Sequence, residues 1–71
     1  MSINQKFAKN LKELVESKHI SLRKLETELN INHTTLSRWL NAKTLPNADY
    51  LYIIADYFNC SVDYLLGRID Y

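Results

Sequence analysis

Ser21-Leu-Arg-Lys-Leu-Glu-Thr-Glu-Leu-Asn-Ile-Asn-His-Thr-Thr-Leu-Ser-Arg-Trp-Leu40 is the stretch whose reading decides the fold. Leu22, Leu25 and Leu29 recur at helical spacing, and so do Leu36, Trp39 and Leu40. Two short helices are predicted, joined by Asn30-Ile31-Asn32. Asn30 suits a left-handed turn residue. Ile31 fills the angle between the helices, and Asn32 caps the second. The outward face of that second helix is His33, Thr34, Ser37, Arg38 and Asn41, all polar and none acidic.

Such a plan is that of a helix-turn-helix. Where the motif meets DNA, its second helix lies in the major groove. The rest of the chain reads as a frame for it. Phe7, Leu11, Leu14 and Val15 form the inner stripe of a first helix over roughly 3–18, with Ile3 at its edge and His19 in a left-handed position after it. Ser21 caps a second helix over 22–29, and Asn32 caps a third over 33–41. A loop of Ala42-Lys43-Thr44-Leu45-Pro46 follows, since the proline cannot sit inside a helix. Asn47 caps a fourth helix over about 48–58, with Leu51, Ile54, Ala55 and Phe58 inward. Asn59-Cys60 turn the chain, and Ser61 caps a short fifth helix over about 62–66 that Gly67 stops. The expectation is an all-α, compact five-helix bundle, with residues 1–71 as a single domain.

Composition narrows the function. Seventy-one residues, 46% of them hydrophobic, suffice for one small core and leave little room for a catalytic pocket. Ser, His and Asp occur, but nothing arranges them as a catalytic set. A non-enzyme is expected. Cys60 is the only cysteine, which excludes an intrachain disulfide and a cysteine metal site and fits a reducing, cytoplasmic setting. His19 and His33 are too isolated to suggest zinc, so no metal or other cofactor is expected. No apolar run approaches the roughly 18 residues of a membrane span, and the polar, amphipathic N-terminus does not read as a signal peptide.

The net charge of +1 hides an asymmetry. Residues 1–43 hold eight Lys/Arg against four Glu, whereas residues 44–71 hold Arg68 against four Asp. The helix-turn-helix lies in the basic half, a polarity that orients a molecule on a polyanion or else describes an ordinary solvated surface. The helix starts add a second signal. Helix N-termini favour acids; the fourth and fifth helices supply Asp49 and Asp63 there, but the second carries Arg23 and Lys24 and the third has no acid. A phosphate would supply the missing negative charge.

Leu11-Lys-Glu-Leu14, Ile20-Ser-Leu22, Leu25, Leu29-Asn-Ile31, Thr35-Leu-Ser-Arg-Trp39, Lys43, Pro46, Leu51, Ile54-Ala55 and Ser61-Val-Asp-Tyr-Leu-Leu66 follow one another in an order that resembles the Cro/cI-type phage-repressor (XRE) helix-turn-helix family over residues 5–66. The resemblance implies a lambda-repressor-like five-helix bundle that binds duplex DNA sequence-specifically, usually as a dimer on a palindromic operator. It departs from the family at Asn30 and His19, where glycine is common, and at Glu26, where a small residue is typical. The Glu26 carboxylate is placed to reach amides or hydroxyls at the start of the third helix, or else lies at its rim. Val15 and Leu40 stand where the family often has an arginine and a glutamate, so an apolar contact is expected in place of an ion pair.

On this reading His33, Thr34, Ser37 and Arg38 are the candidate base contacts, with Arg38 suited to two hydrogen bonds on a guanine edge. Ser21, Arg23, Lys24 and Asn32, together with Asn41 and Lys43, are the candidate phosphate contacts; for Asn41 and Lys43 the resemblance implies it. Trp39 is assigned to the core. Tyr50, Ile53 and Tyr57 share a face of the fourth helix offset from its core stripe, with Tyr52, Tyr64, Ile69 and Tyr71 nearby. Tyr50, Ile53, Tyr57 and Tyr64 are therefore the candidate homodimer interface. The expected partner is a double-stranded DNA operator, with no membrane and no small-molecule substrate, and the expected role is a repressor. A protein-interaction module on the same fold, such as an antitoxin or regulatory subunit, stays open beside it.

Overall fold

Four side chains marked in the sequence as helix caps accept the backbone N–H three residues on. Ser21 Oγ accepts from Lys24 at 3.0 Å, Asn32 Oδ1 from Thr35 at 2.7 Å, Asn47 Oδ1 from Tyr50 at 2.9 Å and Ser61 Oγ from Tyr64 at 2.9 Å. Each satisfies a donor that the first helical turn leaves without an intrahelical partner. The helices they start, with the one before them, are α1 (Ile3–Ser17), α2 (Leu22–Leu29), α3 (His33–Leu40), α4 (Ala48–Phe58) and α5 (Val62–Leu65). The computed structural model describes residues 1–69, which contain these five helices and no strand. Tyr71, expected near the C-terminal aromatic surface, lies outside the described residues.

The expected first, third and fifth helices each run one residue too far, because Lys18, Asn41 and Leu66 are terminal caps. The start of α1 carries a signal the sequence reading passed over. Ser2 Oγ accepts from the Gln5 amide at 3.1 Å, and the Gln5 side chain accepts from the Ser2 amide at 2.8 Å. Ser-x-x-Gln is a reciprocal cap legible in sequence.

All five helices end in the same way. His19, Asn30, Ala42, Asn59 and Gly67 hold positive φ of 56°, 53°, 59°, 55° and 79°. After each, the next amide donates five residues back: Ile20 to Val15, Ile31 to Glu26, Lys43 to Arg38, Cys60 to Ala55 and Arg68 to Asp63. This is the Schellman ending, which satisfies carbonyls the last turn leaves open. Ile20, Ile31 and Cys60 then fold against the core as half-buried anchors. The left-handed residues at 19 and 30 agree with the sequence reading, which marked Asn59 only as a turn. Ala42 was expected only as loop, since alanine carries no signal for that conformation.

The core joins Phe7, Leu11 and Val15 of α1, Leu25 and Leu29 of α2, Leu36 and Trp39 of α3, Ile54, Ala55 and Phe58 of α4, and Leu65 of α5. α1 packs against α3 and α5, α4 against α5, and α2 against α3. Asn10 Nδ2 ties α1 to α5 by donating to the Tyr64 carbonyl at 2.7 Å. Leu14 and Leu51, expected inward, are half-buried at the core's edge. Leu22 departs further: at the first position of α2 it is 41% exposed. It lines a shallow concavity with Lys12, Val15, Glu16 and Leu40. Val15 and Leu40, expected to meet in an apolar contact, both line this concavity.

Gly67 is the one glycine of the chain, and its place is specific. A Cβ there would stand 2.9 Å from Lys6 Cβ and 2.6 Å from Lys6 Cδ, at a φ of +79°. Gly67→Ala is expected to destabilise the fold by about 1–2 kcal/mol through left-handed strain alone, with the crowding at Lys6 adding to it. Ala42→Gly relieves similar strain and is expected to be neutral or stabilising by up to about 1 kcal/mol. Urea unfolding midpoints measure both. A stabilised Gly67→Ala would show that the α5 ending tolerates a side chain.

Candidate nucleic-acid interface

α3 is eight residues long, too short to hold its shape alone, and its position comes from its inner side. Leu36 is 1% exposed and Trp39 3%. The Trp39 indole meets Phe7 edge-on at 6.3 Å and 86°, and Tyr50 at 5.6 Å and 61°. The opposite side is therefore fixed outward. His33, Thr34, Arg38 and Asn41 are exposed there, and Ser37 is half-buried.

The candidate base contacts fall together on that side but are not equivalent. Arg38 has no ion pair among the described residues and stands in the last turn, where its charge complements the helix dipole. Ser37 is engaged by Asn41, whose Nδ2 donates to the Ser37 carbonyl at 2.9 Å and to Ser37 Oγ at 3.2 Å. His33 is engaged too: its Nδ1 lies 3.1 Å from Glu26 Oε2. The outward face read as free of acid therefore has one beside it, brought by α2. Glu26 reaches an imidazole rather than the amides or hydroxyls expected of it.

The candidate phosphate contacts surround this face. Ser21 and Asn32 use their oxygens as caps, which leaves the Ser21 hydroxyl proton and the Asn32 amide hydrogens available as donors. Arg23 and Lys43 are exposed without an ion pair among the described residues. Lys24 pairs with Glu28 at 3.6 Å, but both side chains are about half exposed (57% and 45%), so the pair is weak and open to exchange. α1 also lacks an acid in its first turn, so that absence alone does not single out α2 and α3. What distinguishes α2 is the pair of cations at its start.

The short helix pair α2–α3, the left-handed turn at Asn30 and the buried Leu36–Trp39 back belong to a known arrangement. A helix-turn-helix family model matches residues 11–65, from the middle of α1 to the end of α5. The chain belongs to the XRE-type, Cro/cI-like helix-turn-helix family. Its function is of the DNA-binding, transcription-regulating kind that defines the family. Comparison with curated proteins and with solved structures gives no match.

Other surfaces of this family member carry less chemistry. Burial pushes the Cys60 thiol up, which keeps it protonated and slow to react. Among the described residues, no three His, Cys, Asp or Glu are placed to share a metal ion. None of the described helices is long and apolar enough to cross a membrane. Of the candidate interface residues, Ile53 and Tyr57 are exposed, whereas Tyr50 is half-buried against Trp39 and Tyr64 is half-buried above the bond from Asn10. Tyr52, 72% exposed, stands off the helical face that Tyr50, Ile53 and Tyr57 share, so periodicity leaves it out of that set.

Asn32 holds the start of α3, so its loss is expected to be local before it is global. Asn32→Ala should cost about 0.5–2 kcal/mol of stability. Amide exchange should rise first at Thr35, whose N–H loses its acceptor. Unchanged exchange at Thr35 would place the determinant of the α3 start elsewhere.

Proposed function

We propose that this chain is a repressor that inserts α3 into the major groove of a palindromic DNA operator and binds as a homodimer. The observation that carries the reading is the exposed, polar outer face of α3 on a helix whose back is locked into the core. Arg38 reads a guanine edge with two hydrogen bonds. Thr34 offers a methyl to thymine or a hydroxyl to a base or phosphate. His33 and Ser37 complete the base-facing set. Ser21, Arg23, Lys24, Asn32, Asn41 and Lys43 grip the flanking backbone. Neutral donors at the helix starts also contact phosphates and fix register beside the cations, which suits a chain with so small a net charge.

A single α3 reads only a few base pairs, and a second copy related by a twofold axis doubles that information. Two such helices would meet half-sites about one helical turn apart, roughly 34–36 Å. Ile53 and Tyr57, one turn apart on α4 and both exposed, form the apolar face that supports self-association. The same face favours the second reading, a protein-interaction module on this fold. A salt series separates the two, because DNA binding weakens steeply with salt and an apolar interface does not.

Selection of bound duplexes from a random pool tests the whole proposal, since it returns site, symmetry and half-site spacing together. Arg38→Ala is expected to relax one base position per half-site and cost about 1–3 kcal/mol, while Lys43→Ala weakens all sequences alike and flattens the salt dependence by about one unit of slope. Equal loss on every sequence for Arg38→Ala would make it a backbone contact instead.

Ile53→Lys is expected to leave the monomer folded but lower operator affinity and the cooperativity of binding with protein concentration. Sedimentation that finds a monomer both free and on DNA, with half-sites bound as tightly as full sites, would end the dimer proposal and leave α3 as the reading element.

A further inference from the structure

Glu26 joins the middle of α2 to the first residue of α3 through His33. The Glu26 side chain is mostly covered, at 21% exposure, whereas the imidazole is 79% exposed. Glu26 Oε2 lies 3.1 Å from His33 Nδ1. A carboxylate only accepts, so Nδ1 carries the hydrogen of this bond. In a neutral imidazole the other nitrogen then bears a lone pair and no hydrogen. That nitrogen, Nε2, has no hydrogen-bond partner among the described residues. Arg23 is the other charged side chain lining the same shallow concavity, with Leu22 at its edge, and it makes no ion pair with Glu26.

Resting on the DNA reading above, we infer that Glu26 is a positioning residue that holds His33 as the Nδ1–H tautomer, so that the neutral ring reads a base as a hydrogen-bond acceptor through Nε2. The groove edge limits its choices. Adenine N6 and cytosine N4 carry the amino hydrogens an acceptor needs, whereas guanine and thymine offer it only further acceptors. The base facing His33 is therefore adenine or cytosine, and guanine is rejected. Without Glu26 the ring exchanges tautomers, and Nε2–H donates to guanine O6 or N7. Arg23, free of the carboxylate, remains available to the backbone, so one concavity holds a reader and an anchor of opposite hydrogen-bond polarity.

Two measurements at pH 8, above the ordinary titration range of histidine, test this on the wild-type chain, Glu26→Gln, Glu26→Ala and His33→Ala. Glutamine keeps the length of the bridge but can accept or donate, so it releases the tautomer without removing the contact. Nitrogen-15 spectra of the free protein report which ring nitrogen carries the proton. Nδ1–H alone is expected in wild type, and both tautomers in the two Glu26 variants. A ring found as Nε2–H in wild type overturns the inference.

Binding to duplexes that differ at one base pair gives the second readout. Wild type is expected to prefer adenine or cytosine over guanine at one position by about 3–10-fold, the range of a single net hydrogen bond. Glu26→Gln should admit guanine there within about 2-fold of the original base, and His33→Ala should flatten that position alone. A Glu26→Gln profile identical to wild type overturns the inference and leaves the DNA reading intact. Failure of wild type to bind any duplex overturns the DNA reading and base recognition by His33 with it.

Discussion

The indole of Trp39 is the contact on which the rest depends. It stands between Phe7 of α1 and Tyr50 of α4, and it belongs to the helix that faces outward. Edge-to-face ring pairs add about 0.5–1.5 kcal/mol beyond their burial, and they also fix orientation. With Leu36 one turn earlier, Trp39 prevents α3 from rolling about its own axis. Rolling by one residue would turn Arg38 and Thr34 away from the surface they share. The outward face of α3 is thus a by-product of the core behind it, and its precision is that of the packed interior.

Most of this was legible in the sequence because its signals are local. An asparagine or serine before an apolar run marks a helix start whatever the rest of the chain does, and Asn32, Asn47, Ser21 and Ser61 each cap as read. Asn30, Asn59 and His19 mark reversals for the same reason. What escaped depends on distance through space. Leu22 has the spacing of a core residue, but nothing in the spacing says that the first turn of α2 overhangs a shallow rim. Ala42 adopts a left-handed conformation that its side chain does not favour, because the Lys43 and Ala42 amides close on Arg38 and Trp39. The bond from Glu26 to His33 needs the angle between α2 and α3, which no residue of the sequence states. Of the candidate site's side chains, the outward set on α3 was readable from periodicity alone. Their division into free Arg38, engaged Ser37 and engaged His33 was not.

Electrostatics plays a modest part in holding the molecule together. Its carboxylate–cation pairs among the described residues, Lys9–Glu13, Lys24–Glu28 and Asp63–Arg68, are exposed on both sides. Such pairs contribute little to stability. No polar or charged residue is buried among the described residues, and none of their buried side-chain polar atoms lacks a partner. The interior is purely apolar, so the surface charges are left free to serve a partner.

The uniform helix endings bear on how the chain acquires its shape. Each reversal is closed by bonds spanning at most five residues, so each can form as soon as its own helix does. Short closures are also the fast ones, on the order of tens of nanoseconds for about ten residues. The slow event is then the meeting of the two ends of the chain, where Asn10 must find the carbonyl of Tyr64 across 54 residues. Long-separation contacts of this kind govern folding rates in small domains. The helix pair around Asn30 is assembled from neighbours, while the seam between α1 and α5 joins residues from opposite ends of the described chain.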